Sequence, residues 1–420
     1  MEVAQNPDQY QNFKAFNQNT IIGYVINLPV LQPVLKEVDP AALVAEEIGD
    51  GNLNMVFRVS SRTHKNQSVI VKQALPYLRL VGESWPLTLD RARIEAEATM
   101  VYSKIIPERV PQLYRYDPDL CLTVMEDLKE HLILRKGLIA GKVYPAIGQH
   151  LGRFLAHTLF YTSDFYLTPA DKKARVKQFI NPELCKITED LIFDEPYRAG
   201  VANNQWNSLI EPQVAQLQSA ENRGVKIGVF KLRQSFMMHA EALIHGDLHT
   251  GSVMVTETDT RVIDPEFAFY GPMGFDIGAI IANLLLNYCS QPYHLREAKA
   301  CRTYQAYLKA TIYTVWDTFL QEWDNLWAAH IKPEWQSGHE VFKTHLAQET
   351  LGFAGCKMVR RVVGLAHVAD LESIADLQER AQAETQALQM GQALISNCYQ
   401  LPHYSDFGKA LEQVIALSQV

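Results

Sequence analysis

Cysteine is scarce and scattered. Six residues, at 121, 185, 289, 301, 356 and 398, include no Cys-x-x-Cys pair. That spacing excludes a disulfide scaffold and a cysteine-built zinc module, and it fits a reduced intracellular enzyme. Basic charge is not in excess either: 39 Lys and Arg against 47 Asp and Glu give a formal net charge of −8. A general nucleic-acid binder relies on basic stripes, so nucleic acid is not an expected partner. The chain also lacks a long apolar run. Its most apolar stretch, 277–286, has about half the residues a membrane crossing needs and reads as a buried helix. The amino terminus, Met1 to Asn6, has neither the basic start nor the apolar core of a signal peptide. No internal repeat or low-complexity tract occurs. These absences predict a cytoplasmic protein with no membrane or nucleic-acid partner.

What is present is an ordinary globular composition, 47% apolar and 20% charged, over 420 residues. That length exceeds what one core usually serves and predicts two lobes. The segment Ile244-His245-Gly246-Asp247-Leu248-His249 is followed by a hairpin, 253–255 and 261–263 around the turn residues Thr258-Asp259-Thr260, and then by Asp264-Pro265-Glu266. Asp247 and Asp264 thus stand 17 residues apart, each after an apolar run, and the hairpin brings them to one end. Phosphoryl transfer needs such a pair: one carboxylate to orient the attacking hydroxyl, another to hold magnesium on the ATP phosphates. Asp264 and Glu266 share a face if the segment stays extended, and together they suit magnesium. His245 and His249 lie four apart, but no third ligand follows at a zinc-like spacing.

Earlier in the chain, Gly49-Asp50-Gly51-Asn52-Leu53-Asn54 forms a turn between 47 and the strand 55–59. Its glycines and asparagines permit positive φ and let backbone N–H groups approach a phosphate, although an ordinary hairpin looks the same. A second strand, 68–71, delivers Lys72. Asp90 is a candidate cap for a helix over 91–105 that carries Glu95 and Glu97. From 142 onward helical spacing dominates, as at Ile147, Leu151, Leu155 and Leu159.

His245-Gly246-Asp247 with Asp264-Pro265-Glu266 resembles the kinase-like phosphotransferases of the aminoglycoside and choline kinase group, and within it is most similar to the methylthioribose kinase family. The resemblance covers nearly the whole chain. It implies an α+β, bilobal protein-kinase-like fold. A β-rich N-terminal nucleotide-binding lobe takes 1–128, and a larger helical lobe with the catalytic loop and substrate site takes 129–420. The implied reaction is ATP- and magnesium-dependent phosphorylation of the 1-hydroxyl of 5-methylthioribose, in methionine salvage, by a homodimer. Asp247 is the implied catalytic residue. ATP contacts fall to Gly51, Asn52, Asn54, Lys72, the inter-lobe link Glu126-Asp127-Leu128, and Asp264, Pro265 and Glu266. Asp264 and Glu266 are the metal ligands. His245 braces the catalytic loop, Asp276 in Gly274-Phe275-Asp276 anchors it, and a helix glutamate, Glu97 in preference to Glu95, holds Lys72. Two positions depart from the wider group: Ser252 replaces the usual Asn five residues after the catalytic Asp, and Pro265-Glu266 replaces the pair that usually follows the metal-binding Asp. Both departures are shared with the narrower family.

Arg360 and Arg361 sit in a largely apolar stretch, where adjacent helix residues diverge by about 100° and cannot both avoid the core. A buried arginine needs an anionic partner, which a migrating phosphoryl group or a helix carboxylate supplies. The resemblance puts paired arginines at the substrate site. Trp85, between Gly82 and Pro86 in an expected loop, is a candidate lid over a methylthio group or simply the cap of an apolar cluster. Two other readings stand beside this one. The same fold can act on another small alcohol, such as choline, homoserine or an aminoglycoside, and a nucleotide-binding module can lack turnover. Paired arginines count against a polycationic aminoglycoside, and the presence of Lys72, Asp247 and Asp264 counts against a dead enzyme.

Overall fold

The computed structural model describes residues 13–36, 39–48, 54–64, 66–78 and 82–417. They fall into two compact units: the described residues up to Glu130 with Val262–Phe267, and His131–Arg261 with the described residues from Ala268 onward. The segment carrying Asp264 and Glu266 therefore groups with the first unit, although sequence order alone assigns it to the second.

In the first unit, α1 (Gln18–Val25) precedes β1 (Leu43–Glu47), β2 (Asn54–Ser61) and β3 (Ser68–Ala74). A short antiparallel pair, β4 (Tyr77–Leu78) and β5 (Gly82–Pro86), leads to α2 (Arg91–Ile105), β6 (Leu113–Asp117) and β7 (Leu122–Glu126). The sheet runs β1-β2-β3-β7-β6, antiparallel throughout. Its register follows from period-2 burial. Phe57 and Val59 of β2, Val69 and Val71 of β3 and Leu122 and Val124 of β7 are all fully buried, with Val71 opposite both Phe57 and Val124. Ile21 and Val25 of α1 join the same core. Asn17 starts that helix with a capping box, its side chain accepting from the Thr20 N–H while the Thr20 hydroxyl accepts from the Asn17 N–H. The alternation that buries Val71 turns Lys72 to the opposite face of β3. Asp90 does not cap α2 through its side chain, since its carboxylate is drawn to Arg93 instead. Trp85 belongs to β5 rather than a loop, and its side chain lies outside the described residues, as do Gly51 and Asn52.

The second unit is mainly helical. β8 (Leu132–Ile133), α3 (Leu134–Ile139), α4 (Ile147–Tyr161), α5 (Pro169–Gln178), α6 (Pro182–Glu189), α7 (Glu211–Gln218) and α8 (Arg223–Met238) lead to β9 (Ala242–Ile244). β10 (Val253–Val255), β11 (Thr260–Val262) and β12 (Phe269–Gly271) follow. Then come α9 (Gly274–His294), α10 (Ala298–His330), α11 (His339–Val362), α12 (Ala369–Glu372), α13 (Leu377–Asn397) and α14 (Phe407–Leu417). β12 pairs with β9, setting Phe269 opposite Ile244 at the mouth of the His245 loop.

Two buried helices make the scaffold of this unit. Every residue of α9 from Gly274 to Gln291 is buried, and so is every residue of α11 from Glu349 to Val362. They approach closely because Gly278 has no side chain: a Cβ there would lie 2.7 Å from the Thr350 carbonyl oxygen and 2.9 Å from the Ala354 nitrogen. Ile277–Leu286 is thus core, and no helix among the described residues is long and apolar enough to cross a membrane. The fold is α+β, with a β-rich first unit and a larger helical second unit.

Candidate active site

The first unit concentrates carboxylates around one lysine. Lys72 Nζ reaches Glu95 of α2 at 2.8 Å and also pairs with Asp264. The partner expected from sequence, Glu97, is not the one used. Residues two apart on a helix diverge by about 200°. Here Glu95 faces inward at 5% exposure, while Glu97 turns out to pair with Arg93 at 2.9 Å. Asp264 adopts a left-handed φ of +70° immediately before Pro265, a conformation that costs on the order of 1–3 kcal/mol and marks a held geometry. Glu266, 2% exposed, accepts from Asn54 Nδ2 at 3.1 Å and lies 3.6 Å from Arg91 Nη1. Arg91 is itself fully buried and donates to Asn54 Oδ1 at 2.7 Å and to the Leu75 carbonyl at 2.9 Å.

Donor oxygens of Glu95, Asp264 and Glu266 all lie within 4.8 Å of one another. Burial opposes the Lys72 ammonium, but Asp264, Glu95 and Glu266 outweigh it and hold its pKa above the ordinary lysine value. Burial also raises Glu95 against the pull of Lys72, and it raises Glu266 with help from the neighbouring Asp264. Three carboxylates face two cations, Lys72 and Arg91, so one negative charge is left over. An all-oxygen set with a negative excess fits magnesium, which Asp264 and Glu266 would hold. In the link between strands and helices, the side chains are committed to the unit itself. Asp127 takes a bidentate bond from Arg58 at 2.9 and 3.2 Å and a bond from the Ser68 hydroxyl at 2.7 Å, and Glu126 accepts from the Gln112 N–H at 3.0 Å. Leu128 is buried, so a ligand there would meet backbone groups.

The second unit holds the His245 loop. Asp276, in the first turn of α9, accepts from the backbone N–H groups of His245 at 2.6 Å and Gly246 at 3.1 Å. Gly246 takes φ +82°, where a side chain would be strained. His245 is buried, and its Nδ1 accepts from the Asp247 N–H at 3.3 Å. The Ser252 hydroxyl donates to the Asp247 carbonyl at 3.2 Å and sits 3.1 Å from His249 Nδ1. It is tied into the loop.

Asp247 faces cations. Lys357 Nζ donates to its Oδ1 at 3.0 Å, and His249 Nε2 is 3.4 Å from its Oδ2. Burial alone would raise the carboxyl, yet Lys357, with Arg360 and Arg361, holds it well below the usual range. Burial also keeps His249 neutral, reinforced by Arg135, Arg361 and Lys357. Arg360 and Arg361 are 9% and 7% exposed. Arg361 Nη1 donates to the carbonyls of Ala366 at 3.1 Å and His367 at 3.4 Å, and the buried Arg360 Nε has no hydrogen-bond partner. Arg135 Nε lies 3.4 Å from Asp370, itself held by Asn287 Nδ2 at 2.7 Å. Arg135, Lys357, Arg360 and Arg361 thus surround two carboxylates, Asp247 and Asp370, in a buried cluster with an excess of two positive charges.

Sequence reasoning missed Lys357 and Arg135. Lys357 had a signal: it precedes the arginines by three and four residues, the spacing that puts all three on one helix face. Arg135, between β8 and the body of α3, has no local mark.

Over residues 44–329 the chain matches the phosphotransferase enzyme family. Methylthioribose kinase of Geobacillus sp. (strain WCH70) is 46% identical over 373 residues, spanning 88% of this chain and 90% of that protein. Methylthioribose kinase of Pectobacterium atrosepticum is 45% identical over 379 residues, spanning 89% and 93%. Among solved structures, choline kinase from Cryptosporidium parvum Iowa II aligns with a TM-score of 0.45 at 16% identity, over 95% of this chain and 98% of that one. With identity near one half along almost the full length of both relatives, the chain belongs to the methylthioribose kinase family of phosphotransferase enzymes.

Proposed function

We propose that the chain transfers the γ-phosphoryl group of ATP to the 1-hydroxyl of 5-methylthioribose, giving 5-methylthioribose 1-phosphate and ADP in methionine salvage. The hydroxyl oxygen forms the new bond to phosphorus as the bond to the β,γ-bridging oxygen breaks and its electron pair leaves with ADP. Asp247 orients the hydroxyl and takes its proton late. A carboxylate held well below its usual pKa is a weak base, which suits a loose transition state in which positioning dominates. Lys72, fixed by Glu95, binds nucleotide phosphate. Asp264 and Glu266 would hold magnesium, which would neutralise phosphate charge. The remaining nucleotide contacts are assigned to Gly51, Asn52, Asn54, Pro265 and the backbone of Glu126–Leu128, and a lid role over the methylthio group is assigned to Trp85.

The observation that carries the reading is the sign of the second cluster. Three buried cations and the partly buried Arg135 around two carboxylates suit an acceptor that becomes a phosphate ester, with Arg360 and Arg361 as forked donors to its oxygens. The same charge disfavours choline and aminoglycosides, which carry positive charge into the site. A coupled assay of ADP formation with ATP, magnesium and a panel of 5-methylthioribose, choline, homoserine and an aminoglycoside tests this. The highest kcat/KM is expected for 5-methylthioribose. A higher value for any other acceptor, or no turnover with any, overturns it. The reading extends to a cytoplasmic homodimer, and light scattering of the purified chain checks the particle of two copies.

A further inference from the structure

Four ligand-type side chains that the proposed reaction does not use meet at one point of the second unit. His239 follows the last residue of α8, Glu241 directly precedes β9, and His345 and Glu349 stand one turn apart on α11. One donor atom from each lies within 4.8 Å of all the others. His345 Nε2 is 3.4 Å and His239 Nδ1 is 3.8 Å from Glu349 Oε1.

Glu349 supplies the independent observation. It is 1% exposed, and neither carboxylate oxygen accepts a hydrogen bond. A buried carboxylate flanked by two half-exposed imidazoles is costly unless a full charge compensates it. Glu241, whose Oε2 accepts from the Met273 N–H at 2.8 Å, adds a second acidic group at the same point. Side-chain pairing with Glu349 raises the His345 pKa, and burial with Glu349 brings Glu241 up to about 7, so without a metal the group holds protons that a bound cation would displace.

We propose that His239, Glu241, His345 and Glu349 form a structural site for a zinc-class divalent cation. The ion takes the place of those protons and satisfies Glu349. Two imidazole nitrogens among the donors select against magnesium and calcium, which take oxygen ligands, and fit zinc, which takes His and Glu in tetrahedral sites. Ligand distances of about 2.0–2.2 Å place tetrahedral donors roughly 3.3–3.6 Å apart. Closing from within 4.8 Å therefore takes movements of about an ångström. The histidines can make them, since their side chains are 44% and 42% exposed. The i,i+4 spacing of His345 and Glu349 puts both donors on one face of α11. Ser235 Oγ, 3.0 Å from His239 Nδ1, steadies that ring. Four protein ligands leave no open position, so the ion holds structure rather than substrate. It ties the strand that enters the Asp247 loop to the helix that carries Lys357, Arg360 and Arg361.

The test uses the full chain, stripped with EDTA and returned to excess magnesium, then titrated with zinc while bound metal and thermal midpoint are followed. Wild type and Asp264→Asn should each bind one zinc equivalent and gain a few degrees in midpoint. The double variant His239→Asn/His345→Asn, altered at two half-exposed positions, should keep the metal-free midpoint and lose both the equivalent and the gain. Glu349→Gln, which removes the buried charge but keeps its shape, should melt no lower than wild type without metal and likewise fail to respond to zinc. The same zinc stoichiometry in wild type and the double variant overturns the site. So does loss of the equivalent in Asp264→Asn alone, which would put zinc at the Lys72 carboxylates.

Discussion

The two functional clusters are near mirror images in charge. In the first unit Glu95, Asp264 and Glu266 outnumber Lys72 and Arg91. In the second, Arg135, Lys357, Arg360 and Arg361 outnumber Asp247 and Asp370. Each excess is largely buried, and a buried excess of charge favours a counter-ion. The acidic excess calls for a cation and the basic excess for an anion. A kinase needs both: a metal for the nucleotide it binds and a cationic seat for the phosphate ester it makes. The two clusters also differ in how they hold the charge they lack. Glu266 is already braced by Asn54 and Arg91, whereas Arg360 Nε has no hydrogen-bond partner. The first cluster is assembled around its own lysine, and the second crowds three cations of one helix about Asp247.

Removing the carboxylate proposed to face the acceptor breaks the comparison most severely. Asp247→Ala should lower turnover by about 10²–10⁴, the range for a positioned acid–base group, with ATP affinity nearly unchanged. Steady-state kinetics and an ATP titration check it, and residual turnover within tenfold of wild type removes Asp247 from its role. In the acidic cluster, Asp264→Asn and Glu266→Gln should each move the magnesium titration of activity to higher concentration, and the double change should abolish the response. An unchanged curve for Glu266→Gln would leave Asp264 as the sole carboxylate ligand.

A smaller effect separates the two glutamates of α2. Glu95→Gln weakens a buried charged pair with Lys72 and should lower kcat/KM by about 10–100-fold, matching the roughly 1.5–3 kcal/mol of a hydrogen bond to a charged group. Glu97→Gln, which touches only a partly exposed pair with Arg93, should stay within about twofold. Equal losses would undo the assignment. The mildest test is pH. Burial, with Arg360 and Arg361 and against the pull of Asp247, brings Lys357 from 10.5 down to about 8. Turnover should therefore fall as pH rises through about 8, and Lys357→Arg should push that limb upward. Lys357 cannot cause this fall through unfolding. The unfolded lysine keeps its proton to 10.5, so this group adds stability as pH rises from 8 to 10.5.

Much of this was legible in the chain. Strands 2 and 3 follow from their apolar runs, α9 from a buried run too short for a membrane, and the Asp247 loop from His245-Gly246-Asp247 with Asp276 beyond it. Other features depended on packing. Glu95 and Glu97 are chemically equal on paper, and only the face of α2 against β3 decides between them, although Arg93 four residues before Glu97 hinted at a surface pair. Lys357 was marked only by its spacing to the two arginines, but Arg135 joins the cluster from a distant part of the chain. No local spacing encodes such a meeting.

The most direct measurement compares Arg360→Lys and Arg361→Lys with wild type in steady-state kinetics, ATP affinity and thermal midpoint. Lysine keeps the charge but loses the planar fork that donates two parallel bonds to phosphate or vicinal sugar oxygens. If the pair seats the acceptor, kcat/KM for 5-methylthioribose should fall at least about tenfold, the loss of roughly one such bond, with ATP affinity and midpoint nearly unchanged. A lowered midpoint with normal kinetics would contradict this and return both arginines to a purely structural role.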